Sequence, residues 1–362
     1  MEAQTSSTET SGKPELPAPV FHDPKHHIKI FHGDCLEILP AIPESSIDVI
    51  FADPPYFLSN GGITCHAGRM VSVDKGEWDR SRGPDANHEF NRAWLAACRR
   101  VLKPNGTIWV SGTSHVIHSV GFAMQQLGFK LLNDISWVKP NPPPNLSCRY
   151  FTHATETIIW AAKNEKSRHH FDYAAMKHQA GGKQMKSVWE ILPPSKEEKR
   201  FGKHPTQKPV ALLERILLAS SRQGDLILDP FMGGGTTTIA ALRYRRSVIG
   251  IEFESGWISL TLSRLCSELV QVTISVECVQ ISLDPVCGSV DRSNAAMSLP
   301  VTLVRRERTF YFIGAHKREV IYSTTADDLD HAWEKFESSN SAGTQILFVI
   351  KTETEIYLMR GT

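Results

Sequence analysis

The sequence predicts an α/β fold built on a mostly parallel β-sheet, and three observations support this prediction. Short apolar runs alternate with amphipathic helical patterns through residues 25–269. Two apolar runs end abruptly at an acid followed by turn residues, at Asp53 and at Asp229, and the carboxyl ends of strands are where open α/β sheets bind ligands. A chain of 362 residues with 41% hydrophobic and 22% charged residues is long enough for one large globular domain with an appendage.

The first predicted elements follow a polar, proline-containing segment, residues 1–24, that we expect to be disordered. Residues 27–31 are a predicted short strand, residues 36–42 a predicted amphipathic helix, and residues 47–52 a predicted buried strand. Residues 57–90 are glycine-rich, polar and without clear periodicity. We therefore expect a long functional loop after the buried strand.

The elements after this loop alternate between helix and strand, as expected of a parallel sheet. The predicted helices cover residues 90–102, 116–128, 210–221 and 239–242. The predicted strands cover residues 107–112, 130–139, 155–161, 226–228 and 248–251.

The stretch Asp53-Pro54-Pro55-Tyr56 ends the buried strand and concentrates hydrogen-bond acceptors at its carboxyl end. Two consecutive prolines fix φ and remove two backbone donors, so neither strand pairing nor a helix continues through them. The Asp53 carboxylate and the neighbouring carbonyl groups can therefore accept hydrogen bonds from a ligand, and Tyr56 adds an aromatic face. This corner suits an exposed amino group on a flat ring, although an Asp-Pro pair alone is equally typical of an ordinary turn.

Residues 229–238 form a second strand-to-helix turn, which is rich in glycine. Glycines at such a turn let the backbone approach a ligand closely and place the ligand at a helix N-terminus. About twenty residues further on, Glu252 follows another strand, where an acid can bind ribose hydroxyls. The F-x-G-x-G-T spacing that begins at Phe231 is not G-x-G-x-x-G, so a nicotinamide-dependent dehydrogenase is the weakest alternative.

The D-P-P-Y stretch at 53–56 and the downstream F-x-G-x-G-T together resemble the amino-methyltransferases of DNA. These enzymes use S-adenosylmethionine to methylate the exocyclic nitrogen of adenine or cytosine. The motif order, catalytic first and cofactor loop last, is similar to that of their β group, a circular permutation of the common methyltransferase fold. The resemblance covers residues 28–269 and implies a Rossmann-like fold, with a mostly parallel seven-stranded sheet and helices on both faces.

A third motif, KHPTQKP at residues 203–209, leads into the predicted helix at 210–221. Pro209 suits the first turn of that helix. The motif resembles the family's H-x-T-x-K-P segment beside the cofactor. The resemblance implies that Lys208 pairs with the methionine carboxylate of the cofactor and that Thr206 hydrogen-bonds to it.

The resemblance also implies roles for the remaining site residues, with no metal ion involved. A base inside a duplex must be flipped out before its amino group can react. Its amino hydrogens would be accepted by the Asp53 carboxylate and the Pro54 carbonyl, and its ring would stack on Tyr56. Asp34 either accepts from the cofactor's adenine amino group or only caps the next helix. The implied cofactor-binding residues are Asp34, Thr206, Lys208, Asp229, Phe231, Gly233, Gly235, Thr236 and Glu252.

The net charge of +1 does not by itself indicate a nucleic-acid partner. Residues 163–208, however, contain eleven Lys or Arg against five Asp or Glu. Such a run is usually a solvated surface, but between two motifs of a DNA enzyme it becomes the best candidate for phosphate and base contacts. We expect DNA contacts from the 57–90 loop and the 163–203 insert. The candidate DNA-binding residues are Lys139, Asn141, Lys183, Lys186 and Arg200.

The character of the sequence changes after residue 269. Residues 270–300 have weak patterning and read as a linker or arm, whereas residues 301–362 predict a small α+β appendage. Residues 270–362 contain nine basic and twelve acidic residues, which argues against a general DNA clamp. We expect the appendage to serve dimerisation, protein contact or shielding.

No apolar run approaches the ~18 residues of a membrane span, and the N-terminus lacks a signal-peptide pattern. The seven cysteines include no C-x-x-C pair. We therefore expect a cytoplasmic protein with neither a membrane association nor a disulfide framework.

The closest alternative is the same chemistry on N4 of cytosine, since in the family D-P-P-Y leans to adenine and S-P-P-Y to cytosine. A catalytically silent DNA-binding or regulatory protein that keeps the fold is the alternative from another class. Double-stranded DNA is the expected partner, while single-stranded DNA, a homodimer and a cognate restriction endonuclease remain open. Residues 61–81 resemble the loop of certain adenine methyltransferases that act on GATC.

Overall fold

The computed structural model describes residues 15–59, 63–66, 69–72, 76, 79–145, 147–281, 308–314, 320–326, 346–351 and 356–358. The strands are β1 (Phe21–Asp23), β2 (Ile28–His32), β3 (Ile47–Ala52), β4 (Ile63–His66), β5 (Arg69–Ser72), β6 (Leu102–Gly112), β7 (Lys130–Val138), β8 (Thr155–Ala162), β9 (Val188–Glu190), β10 (Leu226–Asp229), β11 (Ser247–Glu252), β12 (Arg308–Gly314), β13 (Val320–Ala326), β14 (Ile346–Lys351) and β15 (Ile356–Leu358). The helices are α1 (Cys35–Ile38), α2 (Pro84–Val101), α3 (Ile117–Gln126), α4 (Tyr173–Gln179), α5 (Val210–Ser220), α6 (Thr236–Arg243) and α7 (Ser255–Ile281), with 3₁₀ turns at Leu39–Ala41 and Glu197–Lys199.

Nine of these strands form one sheet in the order β1-β2-β11-β10-β3-β6-β8-β7-β9. The five strands from β2 to β6 in this order are mutually parallel, and β8 runs antiparallel to both of its neighbours. The predicted α/β class with a mostly parallel sheet is confirmed. The seven strands from β2 to β7 in the sheet order correspond to the seven expected, and β1 and β9 extend the sheet at its two edges.

Both faces of the sheet are covered by helices, which explains the continuous apolar runs in its central strands. In β3, Val49 and Phe51 pack into the core on the side of α5, α6 and α7. Ile50 and Ala52 pack into the core on the side of α1, α2 and α3. Trp109 of β6 stacks on Trp160 of β8 with ring centroids 4.6 Å apart.

The pairing of β3 with β10 brings two distant stretches of the chain together. The two strands are parallel, with Val49 opposite Ile227 and Ile50 opposite Leu228. Their carboxyl ends therefore lie at the same edge of the sheet, where Asp229 ends β10 and Asp53 directly follows β3.

Two boundaries predicted from the sequence, one at the N-terminal segment and one at the loop after β3, differ from the structure. The segment expected to be disordered over residues 1–24 contains β1, which pairs with β2 because Phe21 is buried in the core; residues 1–14 lie outside the described residues. The loop expected over 57–90 ends earlier, because α2 begins at Pro84, a residue suited to a helix's first turn. Within that loop, β4 and β5 pair antiparallel.

The basic insert expected over 163–203 contains regular structure that its polar composition concealed. It includes α4 and the edge strand β9, which pairs parallel with β7. The buried ring of Trp189 ties β9 to the core, with its centroid 6.1 Å from that of Trp109.

Beyond residue 269 the expected linker over 270–300 is wrong at its start, because α7 continues to Ile281. An existing helix extends at low cost, since each added residue gains a hydrogen bond. Residues 282–300, and residues 327–339 within the expected α+β appendage, lie outside the described residues. Strands β12 to β15 form a four-stranded antiparallel sheet in the order β13-β12-β14-β15. Within the described residues, no helix has the length and apolarity needed to cross a membrane.

We predict that Gly235→Ala lowers the free energy of unfolding by about 1–3 kcal/mol. Gly235 has φ +71°, and a Cβ there would lie 2.3 Å from Cγ2 of Thr261 in α7. Urea unfolding followed by circular dichroism measures the loss.

Gly224→Ala is the matched control, because Gly224 has φ +84° but nothing within 4 Å of a Cβ. The Gly224→Ala variant has the strain of an alanine at positive φ but no contact between the new methyl group and α7. Equal losses in the two variants would contradict the close packing of Gly235 on α7.

Candidate active site

The carboxyl ends of β2, β3, β10 and β11 surround a cavity of about 550 Å³. Asp53 and Pro55 from the first motif line this cavity, and Asp229 and Phe231 from the second line it too. Lys208 from the third motif completes the junction of the three motifs. The volume is typical of a site that encloses a small organic ligand.

Asp53 is the centre of a dense hydrogen-bond network. Its Oδ1 accepts from the Tyr56 hydroxyl at 2.6 Å and from the Ser111 hydroxyl at 2.5 Å. Its Oδ2 accepts from Lys208 Nζ at 2.6 Å. Both oxygens of the carboxylate are therefore engaged by the protein itself.

Lys208 is a buried cation shared between two carboxylates. Its side chain is 6% exposed, and its Nζ lies 3.6 Å from Oε2 of Glu156 as well as 2.6 Å from Asp53. Nζ also donates to the Tyr56 hydroxyl at 3.1 Å, and Oε2 of Glu156 lies 3.3 Å from that hydroxyl. Glu156 forms a further ion pair with Lys139. We call Asp53, Tyr56, Lys139, Glu156 and Lys208 the polar cluster.

The charges of the polar cluster stabilise one another against burial. Burial would raise the pKa of Glu156, but Lys208 and Lys139 lower the pKa to about 2. Burial would lower the pKa of Lys208, but the carboxylates of Asp53 and Glu156 outweigh it and raise the pKa. Burial next to Asp53 and Glu156 raises the pKa of Tyr56 well above its usual value. At neutral pH, Glu156 is therefore a carboxylate, Lys208 an ammonium group and Tyr56 a neutral phenol.

The Tyr56 ring is less accessible than the sequence suggested. Tyr56 is 5% exposed and packs in the same core as Phe231, but Asp53, Pro55 and Phe231, not Tyr56, line the cavity. Pro54 is likewise buried beside the cavity.

Asp79 fixes the turn that carries Tyr56. Its Oδ1 accepts from the backbone N–H groups of Tyr56 at 2.9 Å and Phe57 at 2.8 Å. Its Oδ2 accepts from the Ser59 hydroxyl at 2.9 Å. This buried carboxylate replaces the strand and helix bonds that the two prolines forbid.

On the other side of the cavity, Asp229 and Glu252 are buried acids held by backbone and hydroxyl donors. Asp229 accepts from the Thr237 hydroxyl at 2.5 Å and from Phe231 N–H at 3.1 Å. Burial raises the pKa of Asp229 to about 7, although these donors oppose the rise. Glu252 accepts from Gly233 N–H at 2.6 Å, and burial raises its pKa as well.

The predicted cofactor-binding residues lie at the cavity, with one exception. Those that line it are Asp34, Thr206, Lys208, Asp229, Phe231, Gly233, Thr236 and Glu252. Asp34 also caps α1, because its Oδ1 accepts from Leu36 N–H at 2.8 Å. Gly235 does not line the cavity, and its lack of a side chain permits the close approach of Thr261 instead.

The five predicted DNA-binding residues divide into two groups. Lys183, Lys186 and Asn141 are exposed. Lys139 is half-buried and pairs with Glu156, whereas Arg200 is exposed and contacts Glu197 and Ser267. The sequence did not indicate the pair of Lys139 with Glu156, because Glu156 lies on a different strand.

Three residues of the site were missed by the sequence analysis, and His204, which belongs to the third motif, was given no role. Ser111 of β6 donates to Asp53, Glu156 of β8 lies beside Lys208 and Tyr56, and Asp79 holds the turn. The ring of His204 packs on Trp257, with ring centroids 4.5 Å apart. Glu156 was detectable as an acid within an otherwise apolar strand. Ser111 and Asp79 carry no local signal.

Comparisons with known proteins agree with this arrangement. A family model described as DNA methylase matches residues 47–262. The chain is 54% identical over 245 residues to the type II methyltransferase M2.DpnII of Streptococcus pneumoniae, covering 67% of this chain and 91% of that protein. It is 49% identical over 246 residues to M2.MboI of Moraxella bovis, covering 68% and 90%.

Solved structures show the same fold. The M1.HpyAVI–SAM complex is 29% identical with a TM-score of 0.51, covering 66% of this chain and 98% of that chain. The cytosine-N4-specific PvuII DNA methyltransferase is 21% identical with a TM-score of 0.53, covering 68% and 88%, and it shows the fold alone.

We predict that Asp229 makes the protein less stable as pH rises toward neutrality. With a folded pKa of about 7 against an ordinary 3.8, the folded state keeps a proton that the unfolded state releases. The stabilisation is complete below the unfolded pKa and is lost as pH rises through the folded pKa. Asp229→Asn removes this loss of stability. The difference in the free energy of unfolding, variant minus wild type, should therefore increase by on the order of 2 kcal/mol between about pH 5 and about pH 8.

Urea unfolding at a series of pH values measures this difference. Asp134→Asn, which removes an exposed carboxylate, is the control. A rise of the same size in the control would contradict the assignment to Asp229.

Proposed function

This chain belongs to the DNA methylase family, and on that premise we propose that it methylates N6 of adenine at a specific DNA site, with Asp53 as the residue that orients the amino group. The chain is a DNA methyltransferase of the restriction–modification type, and its cofactor is S-adenosylmethionine. The observation that carries the proposal is the position of Asp53 in the same cavity as the glycine-rich turn.

The cavity fits S-adenosylmethionine by its acceptor chemistry as well as by its size. The buried carboxyl groups of Asp229 and Glu252 provide acceptors for amino and hydroxyl donors, and Phe231 offers an apolar wall. We propose that Asp229 and Asp34 receive the adenine end and Glu252 the ribose. Gly233 and Thr236 line the same wall of the cavity.

The chemistry that we assign to Asp53 is orientation of the nucleophile. S-adenosylmethionine supplies an electrophilic methyl group when bound. By accepting an amino hydrogen of the flipped adenine, Asp53 and the Pro54 carbonyl draw the nitrogen lone pair out of conjugation and direct it toward that methyl group. Holding reactants in this way supplies a large part of a rate enhancement.

Lys208 already donates to Oδ2 of Asp53. This oxygen can accept a second hydrogen bond, so an incoming amino group would share it with the ammonium. Glu156, with Oε2 3.6 Å from Nζ, offers Lys208 a second acceptor. We assign Glu156 as a positioning residue that draws Lys208 toward itself when the amino group arrives.

This assignment revises the role that resemblance gave to Lys208. Its contacts with Asp53, Glu156 and Tyr56 favour a place at the methyl acceptor rather than at the methionine carboxylate. Thr206, whose N–H donates to His204 at 3.3 Å, lies at the cavity wall and is our candidate for the methionine end.

Partners beyond DNA are proposals that rest on the relatives. The relatives are named type II methyltransferases, which supports a cognate restriction endonuclease. Lys183 and Lys186, exposed just before the edge strand β9, support a phosphate contact by the 163–203 segment. We also propose that the appendage of residues 301–362, whose described strands form the four-stranded sheet, serves dimerisation, protein contact or shielding, and that the enzyme works in the cytoplasm with its DNA.

We predict that wild-type protein transfers tritium from labelled S-adenosylmethionine to DNA, and that the labelled nucleoside is N6-methyladenine. Asp53→Ala should lower single-turnover transfer by at least about 100-fold and leave the calorimetric Kd for S-adenosylmethionine within a few-fold of wild type. Chromatography of the digested DNA identifies the nucleoside.

Asp48→Asn is the matched control, since Asp48 lies in the same strand and pairs with Lys103 at 2.7 Å, away from the cavity. Its transfer rate should stay near wild type. N4-methylcytosine as the product would overturn the adenine assignment, and undiminished transfer by Asp53→Ala would overturn the role of Asp53.

We predict that Glu156 and Lys208 are energetically coupled in the methyl-transfer step. Glu156→Gln should slow single-turnover transfer by about 10-fold in the wild-type background and by less than about 2-fold in a Lys208→Met background. The physical reason is that Glu156 acts through the ammonium that it shares with Asp53.

Glu156→Asp, which keeps the charge, should recover part of the lost rate. Thermal unfolding of each variant checks that the fold is retained. Losses that simply add in the double variant would show that Glu156 acts independently of Lys208.

A further inference from the structure

We propose that the loop of residues 140–153 is the element that enters the DNA duplex, and that the exposed Phe151 in its second half fills the gap left by the everted base. The inference rests on the proposed function, because the gap exists only if a base is flipped out. Residue 146 lies outside the described residues, and no part of the argument uses it.

The base of this loop is attached to the polar cluster. Lys139 N–H donates to the Ala154 carbonyl at 2.8 Å and closes the loop between β7 and β8. The Lys139 ammonium pairs with Glu156, which lies 3.3 Å from the Tyr56 hydroxyl. Both ends of the loop therefore lie beside the polar cluster, where we propose that the flipped base binds.

The described part of the loop has a defined shape before any partner binds. Prolines at 140 and 142–144 fix backbone φ angles on its ascending side. On the descending side, the Asn145 side-chain amide donates to the Tyr150 carbonyl at 2.6 Å. The Asn145 side-chain oxygen accepts from Ser147 N–H at 3.0 Å and from the Ser147 hydroxyl at 2.8 Å. Preorganisation of this kind lowers the entropic cost of binding.

The loop presents aromatic surface together with positive charge. Phe151 is 96% exposed and Tyr150 is 61% exposed. Arg149 is exposed beside them, and Tyr150 packs on His153 with ring centroids 5.5 Å apart. A fully exposed phenylalanine next to a cation suits a partner that combines apolar faces with negative charge.

Duplex DNA is a partner with both properties. Proteins that distort DNA insert apolar side chains between base steps, and cations beside them contact phosphates. Extrusion of a base breaks its stacking on both neighbours. An aromatic ring in the vacated position restores stacking and keeps the base from returning. We therefore expect Phe151 to stabilise the flipped state of a base in duplex DNA and to have no such effect on single-stranded DNA.

The test uses the full chain and a duplex whose target adenine, mapped beforehand from the methylated product, is replaced by 2-aminopurine. Wild type should raise 2-aminopurine fluorescence on binding. Phe151→Ala should lose most of that rise, and on the same duplex with adenine at the target position it should lower kcat/KM for methylation by about 10-fold or more. On single-stranded DNA of the same sequence, where no stack has to be opened, the two proteins should differ by less than about 2-fold.

Phe122→Ala is the matched control, because Phe122 is an exposed phenylalanine that lies on α3 and stacks on His88. It should retain wild-type fluorescence and kcat/KM. Phe151→Trp should retain the fluorescence rise, since a larger aromatic ring can also occupy the gap. Thermal unfolding should be unchanged in Phe151→Ala.

Full fluorescence and full kcat/KM in Phe151→Ala would overturn the inference and leave the proposed function standing. Equal losses on duplex and single-stranded DNA would also overturn it, by showing that Phe151 stacks on bases without regard to flipping. Absence of a fluorescence rise and of methylated adenine with wild type would overturn the proposed function and this inference with it.

Discussion

The site depends on one buried ammonium group that two carboxylates share. Lys208 lies 2.6 Å from Asp53 and 3.6 Å from Glu156, and its side chain is almost fully removed from water. A buried ion costs several kcal/mol unless good geometry and further hydrogen bonds compensate it. Here Tyr56, Ser111 and both acids supply the compensation. These contacts hold together the turn at Asp53–Tyr56, strand β8 and the segment before α5.

That junction exists because of the order of strands in the sheet. β3 and β10 are parallel neighbours, so two acids that are far apart in sequence end at one edge. Two buried acids of the site then differ in pKa. Lysines lower the pKa of Glu156 to about 2, whereas burial raises the pKa of Asp229 to about 7. Environments that separate the pKa values of similar groups are characteristic of working sites.

The same network connects chemistry with DNA recognition. Lys139 pairs with Glu156 through its side chain and closes the 140–153 loop through its backbone. The loop that we propose enters the duplex and the site that we propose receives the base therefore share one ion pair, between Lys139 and Glu156.

The sequence by itself determined the alternation of strands and helices, the turn at Asp53, the glycine-rich turn after Asp229 and the acid at Glu252. Each of these is a local pattern, set by side-chain period, proline geometry or glycine conformation. The sequence did not identify contacts between residues that are far apart along the chain. Ser111 and Asp79 have no local signature, and nothing local indicates that Lys208 pairs with Asp53 and Glu156 or that Lys139 pairs with Glu156. Only the tertiary structure decided these partners, because the energy of a buried charge depends on which groups the packed sheet brings within about 4 Å of it.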